Sequence, residues 1–88
     1  MVDVKLGKAM LAHANLTQVN LIRADLSRAN LSDANLTKAD LTDAYLAKTD
    51  LRNSNLIDSI LTRVELSTTN LSGAQMQGAT MPDGEIYD

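Results

Sequence analysis

Leucine returns at every fifth position along most of this chain. All leucines share that phase, and Met76, Met81 and Ile86 continue it toward the C-terminus. A second signal lies two residues before each leucine, where Ala or another short residue recurs, commonly followed by Asp or Asn. The leucines stand at positions 6, 11, 16, 21, 26, 31, 36, 41, 46, 51, 56, 61, 66 and 71. The chain is therefore one five-residue unit written many times.

A period of five matches neither a simple helix nor a flat strand. On an α-helix, successive leucines would lie about 140° apart and would spiral over the whole surface. On a strand they would alternate between faces, because five is an odd number. The chain must turn once per unit, which is typical of solenoids that bury one apolar residue per unit against neighbouring coils.

The regular units resemble those of a known repeat family. The runs Ala-Asp-Leu at 24–26 and 39–41, and Ala-Asn-Leu at 29–31 and 34–36, resemble the A(D/N)LXX units of pentapeptide-repeat proteins. The resemblance implies an all-β fold, a right-handed quadrilateral parallel β-helix with four units per coil and about four coils. The segment Met-Pro-Asp-Gly at 81–84 is similar to a closing segment of pentapeptide-repeat proteins that are abundant in cyanobacteria.

We expect one domain over residues 1–88, with repeats at about 4–83 and a C-terminal tail at 82–88. Pro82-Asp83-Gly84 is a turn signal, and Ile86 with Tyr87 is expected to fold over the last coil. Stacking every twentieth residue then predicts columns along the four sides.

Two outward columns have a chemical character. One is predicted to form amide-to-amide hydrogen bonds along the stack, and the other alternates in charge, with exposed pairs worth about 0–1 kcal/mol each. The first column is Asn15, Asn35, Asn55 and Gln75, and the second is Arg23, Asp43, Arg63 and Asp83.

Four hydroxyl residues replace Ala at the inward short position. Each hydroxyl must bond to the backbone, because an unpaired buried hydroxyl costs about 1–3 kcal/mol. These residues are Thr49, Ser54, Ser59 and Thr69.

Composition narrows the class of protein. The chain has no Cys, Trp or Phe, so its core must consist of small, uniform side chains. Residues 1–82 hold eight acidic and eight basic residues, and the net charge of −3 comes from Asp83, Glu85 and Asp88. That balance argues against a basic nucleic-acid binder. No segment is apolar enough to span a membrane, and no signal peptide is evident. We expect a cytoplasmic protein, with a lumenal or secreted precursor as the alternative.

No set of residues with the spacing of a catalytic or metal site is present. His13 is the single histidine, and a lone outward histidine is rarely a ligand or a base. We therefore expect no enzymatic activity, no cofactor and no bound metal.

The sequence favours a structural or protein-interaction module without identifying its partner. Tyr45, Ile57 and Ile60 are candidate contact residues, because they are large apolar side chains at outward positions. Self-association is expected through the first coil around Val4, Leu6 and Leu11, since an uncapped solenoid end exposes core.

The alternative is a modulator of DNA gyrase or topoisomerase that mimics DNA. The resemblance implies it, because some pentapeptide-repeat proteins present a rod with the width and charge of a duplex. That activity requires a long, acidic rod, whereas this chain is short and its repeats are neutral. Neither nucleic acid nor a membrane is expected as a partner.

Overall fold

The backbone turns once in every five residues. The computed structural model describes all residues, Met1–Asp88, with turns at 2–3, 7–8, 12–13 and 17–18 in the first coil and the same spacing up to 82–83. Parallel β-bridges join residues twenty apart, from Lys5 and Asp25 to Ile60 and Thr80. Four turns between paired residues give a four-sided coil. The predicted stack of quadrilateral coils is thus present.

The β-structure is more fragmentary than the expected all-β helix. It consists of isolated single-residue bridges, with no strand of two or more residues and no helix that could cross a membrane. Each bridge residue up to Thr80 immediately precedes a leucine or, at Met76 and Met81, a methionine, and a turn follows that residue at once. A side of five residues is too short to contain both a corner and an extended strand.

The corners are turns with a left-handed second residue. The φ angle of this second residue lies near +60° at thirteen non-glycine positions, including Lys8 at 63°. It is also positive at Gly73 and Gly78. The Ala9 N–H closes the turn on the Leu6 carbonyl at 2.9 Å, the pattern of a type II turn. A left-handed non-glycine residue costs about 1–2 kcal/mol. Bonds between coils, such as Lys8 N–H to the Ser27 carbonyl at 2.9 Å, hold this conformation.

Leucine and alanine fill the tube. Nine leucines from Leu21 to Leu61 are at most 1% exposed, and the alanines two residues before them pack into the same cluster. Leucines of the end coils, such as Leu6 and Leu71, are partly buried. The principal extents are 29 × 24 × 23 Å, so the molecule is a block rather than a long rod.

Three of the four inward hydroxyls bond to the backbone as predicted. Thr49 Oγ1 donates to the Leu26 carbonyl at 2.7 Å, and Thr69 Oγ1 donates to the Leu46 carbonyl at 2.7 Å. Ser54 Oγ donates to the Leu51 carbonyl at 2.8 Å. Ser59 departs from the prediction, because its buried Oγ has no partner.

The predicted amide-to-amide ladder is wrong. Asn35 Oδ1 accepts hydrogen bonds from the N–H and Oγ1 of Thr37, two residues further on, and Asn15 does the same with Thr17. No hydrogen bond joins the amides of successive coils. The local hydrogen bond forms instead of the inter-coil one, because an Asn side chain can reach the N–H of its own turn without being aligned with a side chain of the neighbouring coil.

Only the Asp43–Arg63 pair of the predicted alternating column forms, and Arg23 pairs instead with Asp3, which was not part of that prediction. Arg23 Nε lies 2.8 Å from Asp3 Oδ1, and Arg63 Nε lies 2.8 Å from Asp43 Oδ1. Asp83 does not extend the column, since its carboxylate accepts the Glu85 N–H instead.

The C-terminal tail reverses onto the last coil, as expected. The Gly84 N–H closes the predicted turn on the Met81 carbonyl at 2.8 Å, and an antiparallel bridge joins Ile86 to Thr80. The Tyr87 carbonyl accepts the Gly78 N–H at 2.7 Å. The tail thereby supplies bonds that a further coil would otherwise make.

Candidate functional site

Tyr45 stands between two depressions on one side of the coil. This side with its corner, here called the Tyr45 face, comprises residues 3–8, 23–28, 43–48 and 63–68. The Tyr45 residue is 61% exposed. A depression of about 450 Å³ lies toward Lys5, and another of about 520 Å³ lies toward Glu65. A third depression, of about 620 Å³, lies at the C-terminal tail.

The backbone ladder is open beside Tyr45. Every other bridge residue from 5 to 60 pairs with the residue twenty positions later, but Tyr45, which is bridged to Asp25, forms no bridge with Glu65. The N–H groups of Leu46 and Glu65 and the carbonyl of Ala44 make no hydrogen bond. Ala44 and Leu46 are themselves buried, and both line the depression toward Glu65. Buried backbone groups are nearly always paired, so these unpaired groups set this side apart.

The opening coincides with an exceptional corner residue. Thr68 occupies the second turn position but does not adopt the left-handed conformation. Every other residue at this position from Asp3 to Gly78 does adopt it. A β-branched side chain disfavours that conformation. Thr68 Oγ1 accepts the Lys48 N–H at 3.0 Å, where the equivalent Arg28 N–H bonds to the Ala47 carbonyl. The Asp43–Arg63 pair ties the coils together on the other side of the opening.

Charge is unevenly distributed between this face and the other sides. The Tyr45 face has six basic and four acidic residues, whereas the other repeat residues comprise two basic and four acidic ones. The basic residues of the face are Lys5, Lys8, Arg23, Arg28, Lys48 and Arg63, and the acidic ones are Asp3, Asp25, Asp43 and Glu65. The neutral total therefore conceals a basic side.

Three of these cations form an unpaired column. Lys8, Arg28 and Lys48 lie twenty residues apart at the same corner, and all three are exposed. None of them makes an ion pair. The overall charge balance conceals this column, which becomes visible in the sequence only when charges are sorted by the twenty-residue period.

The three aspartates of the face stay ionised in mildly acidic solution, because their pKa values are lowered. Hydrogen bonds from Arg23 and Arg63 hold the pKa values of Asp3 and Asp43 below the ordinary range. The pKa of Asp25 is lowered chiefly by the Ser27 N–H, with a smaller contribution from Lys5. The two arginine pKa values are raised by the same pairs. These groups act as fixed charges and not as proton donors or acceptors near neutral pH.

The other predicted contact residues are not gathered around Tyr45. Ile57 and Ile60 are half-buried and flank the corner at 57–58, away from the Tyr45 face. Leu6 lies in the first coil of this face and Leu11 on the next side, and both are partly buried against the core. His13 lies 3.8 Å from Asp33, and no group of three metal-ligating side chains occurs in the structure.

The chain is similar to one family over most of its length. Residues 1–37 and 49–82 match the family described as pentapeptide repeats, in eight copies. The interruption contains Tyr45. No curated protein matches the chain.

Solved structures resemble the chain closely. HetL, described as a pentapeptide repeat protein involved in heterocyst differentiation regulation in the cyanobacterium Nostoc, has a TM-score of 0.80 at 35% identity over 98% of this chain. A pentapeptide repeat protein from the Arabidopsis thaliana thylakoid lumen has a TM-score of 0.67 at 29% identity over 96% of the chain. A second Nostoc pentapeptide repeat protein has a TM-score of 0.57 at 36% identity over 85%. The chain spans 42%, 62% and 66% of these proteins, less than two thirds of each.

Proposed function

The chain belongs to the pentapeptide-repeat family, and from that premise we propose that it is a non-enzymatic protein-interaction module that binds its partner through the Tyr45 face. Family members are right-handed quadrilateral β-helices, which supports the same handedness here. The observation that carries the proposal is the exposed Tyr45 between two depressions, because amphipathic aromatic side chains in such positions often anchor interfaces.

The other sides of the coil suit a scaffold. Leucines fill the interior, which leaves no internal space for a substrate. Regular coils fix the positions of outward residues in columns, and a rigid surface limits the entropy lost on binding. The regulatory role that the description of HetL gives to that protein is compatible with such a module.

Location and self-association belong to the same proposal. We favour a cytoplasmic protein, and the thylakoid-lumen relative supports the lumenal alternative. Self-association through the coil of Val4, Leu6 and Leu11 stays a prediction, which sedimentation at high concentration tests. The DNA-mimic alternative gains no support, because the repeats carry no net charge.

Affinity purification from cells of the source organism tests the interaction proposal. The tagged protein is compared with Tyr45→Ala and with Gln75→Ala, which alters an exposed bridge residue on the opposite side of the coil. One specific partner should be recovered with the unaltered protein and with Gln75→Ala but not with Tyr45→Ala. Equal recovery with all three proteins would contradict the proposal. A double Ile57→Asp and Ile60→Asp variant tests whether the corner at 57–58 contributes.

A further inference from the structure

The cation column lies beside the open backbone groups of the Tyr45 face. Lys48 follows Leu46 and Ala47 in the chain, so its backbone is two residues from the unpaired Leu46 N–H. Adjacent coils are about 4.8 Å apart, and the three cations therefore span about 10 Å along the stack. A ligand on this face therefore meets a row of three exposed positive charges.

We propose that the Tyr45 face binds an acidic peptide segment of the partner in extended conformation, an inference that rests on the proposed function. Alternate side chains of an extended peptide lie about 6.6 Å apart on one edge. Two or three carboxylates spaced in this way can reach the long, flexible side chains of Lys8, Arg28 and Lys48. The Tyr45 ring supplies the apolar contact.

The side chains of the Tyr45 face favour a peptide over single-stranded nucleic acid. Single-stranded nucleic acid would require several aromatic side chains for successive bases, and Tyr45 is the single aromatic residue on this face. The paired arginines, Arg23 and Arg63, are already neutralised by Asp3 and Asp43.

A fluorescence anisotropy titration with a defined probe tests this inference. The probe is a fluorescein-labelled ten-residue peptide of alternating glutamate and threonine, and a lysine–threonine peptide of equal length is its control. The acidic peptide should bind, and the basic peptide should not. Binding should weaken about tenfold when the salt concentration rises from about 20 to 150 mM, because exposed charges are screened.

Two matched charge reversals separate position from net charge. Lys48→Glu should raise the Kd of the acidic peptide about tenfold or more, since it removes one cation and adds a repulsive charge. Lys38→Glu makes the same change at the same turn position of another corner, and should alter the Kd less than about twofold. Tyr45→Ala should also weaken binding.

Several results would overturn the inference. They are absence of acidic-peptide binding at about millimolar protein, equal effects of Lys48→Glu and Lys38→Glu, and tighter binding of a labelled oligothymidylate than of the peptide. If the acidic peptide fails to bind while the Tyr45-dependent partner is still recovered, the inference is wrong and the proposed function stands. If the acidic peptide binds but no Tyr45-dependent partner is recovered, the proposed function is wrong and the affinity of this face for acidic peptides stands.

Discussion

Short inward side chains determine how closely each corner of the coil packs. Ser54 and Ser59 occupy equivalent positions and are both fully buried. The Ser54 hydroxyl bonds to the Leu51 carbonyl, but the Ser59 hydroxyl has no partner. The same substitution should therefore have opposite effects at these two positions.

Ser59→Ala should raise the free energy of unfolding by about 1 kcal/mol, because it removes an unsatisfied buried hydroxyl. Ser54→Ala should lower it by about 0.5–1.5 kcal/mol through loss of a made bond. Urea denaturation of the two variants and the unaltered protein measures both values. A loss of stability in Ser59→Ala comparable to that in Ser54→Ala would mean that the Ser59 hydroxyl has a partner in solution.

Hydrogen-bonded aspartate carboxylates make the stability of the fold sensitive to acid. Hydrogen bonds lower the pKa values of Asp3, Asp25, Asp43 and Asp50 in the folded chain. A carboxyl group with a lowered pKa stabilises the fold above its unfolded pKa of about 3.9, and loses that effect as the pH falls through the folded pKa.

The urea midpoint should therefore be nearly constant from about pH 8 to 5 and should fall below about pH 4. Asp43→Asn abolishes one of these titrations, so its midpoint should decline less steeply with acid. An unchanged midpoint between pH 5 and pH 2 in the unaltered protein would show that these bonds contribute nothing measurable to stability.

The coil, as an element, depends on the left-handed corner residue. At every corner from Asp3 to Arg63 except that of Lys48, the N–H of this residue bonds to a carbonyl of the next coil. Where it is Thr68, the bonds around Leu46 and Glu65 are missing. We infer that Thr68 is the cause of the open ladder on the adjoining side.

Thr68→Asn should close the opening, because Asn tolerates the left-handed conformation. The Glu65 carbonyl would then reach the Leu46 N–H, as the Tyr45 carbonyl reaches the Leu26 N–H at 2.9 Å. Amide hydrogen exchange at Leu46 should slow by about tenfold or more.

Lys38→Asn, at a corner that is already left-handed, is the matched control and should leave exchange at Leu46 unchanged. Unaltered exchange in Thr68→Asn would show that Thr68 is not the cause of the opening.

At the scale of the whole molecule, regular features were predictable and irregular ones were not. The five-residue phase of leucine defines the turns, and the twenty-residue coil follows from the family resemblance. The closing tail follows from Pro82-Asp83-Gly84. The opening beside Tyr45 was not foreseen, since it depends on how one β-branched residue alters the bonds between two coils. The Asn column failed for a similar reason, because local and inter-coil bonds compete and sequence spacing does not rank them.

The candidate contact residues differ in how well the sequence alone indicated their exposure. Tyr45 is recognisable in the sequence as a large outward residue, and the structure has it exposed between two depressions. Ile57 and Ile60 have the same signature, but they are half-buried by their neighbours. The basic column of Lys8, Arg28 and Lys48 becomes visible when charges are sorted by coil.

The central claim is that the partner binds the Tyr45 face and not the opposite side of the coil, which contains Gln75, and cross-linking in cells tests it. A photoreactive benzoylphenylalanine is placed either at position 45 or at position 75, both of which are exposed bridge-register positions on opposite sides of the coil. Irradiation of source cells should give one discrete cross-linked adduct from position 45, reduced by Lys48→Glu, and none from position 75. Absence of an adduct from position 45, or the same adduct from both positions, would contradict the assignment of the Tyr45 face as the binding surface.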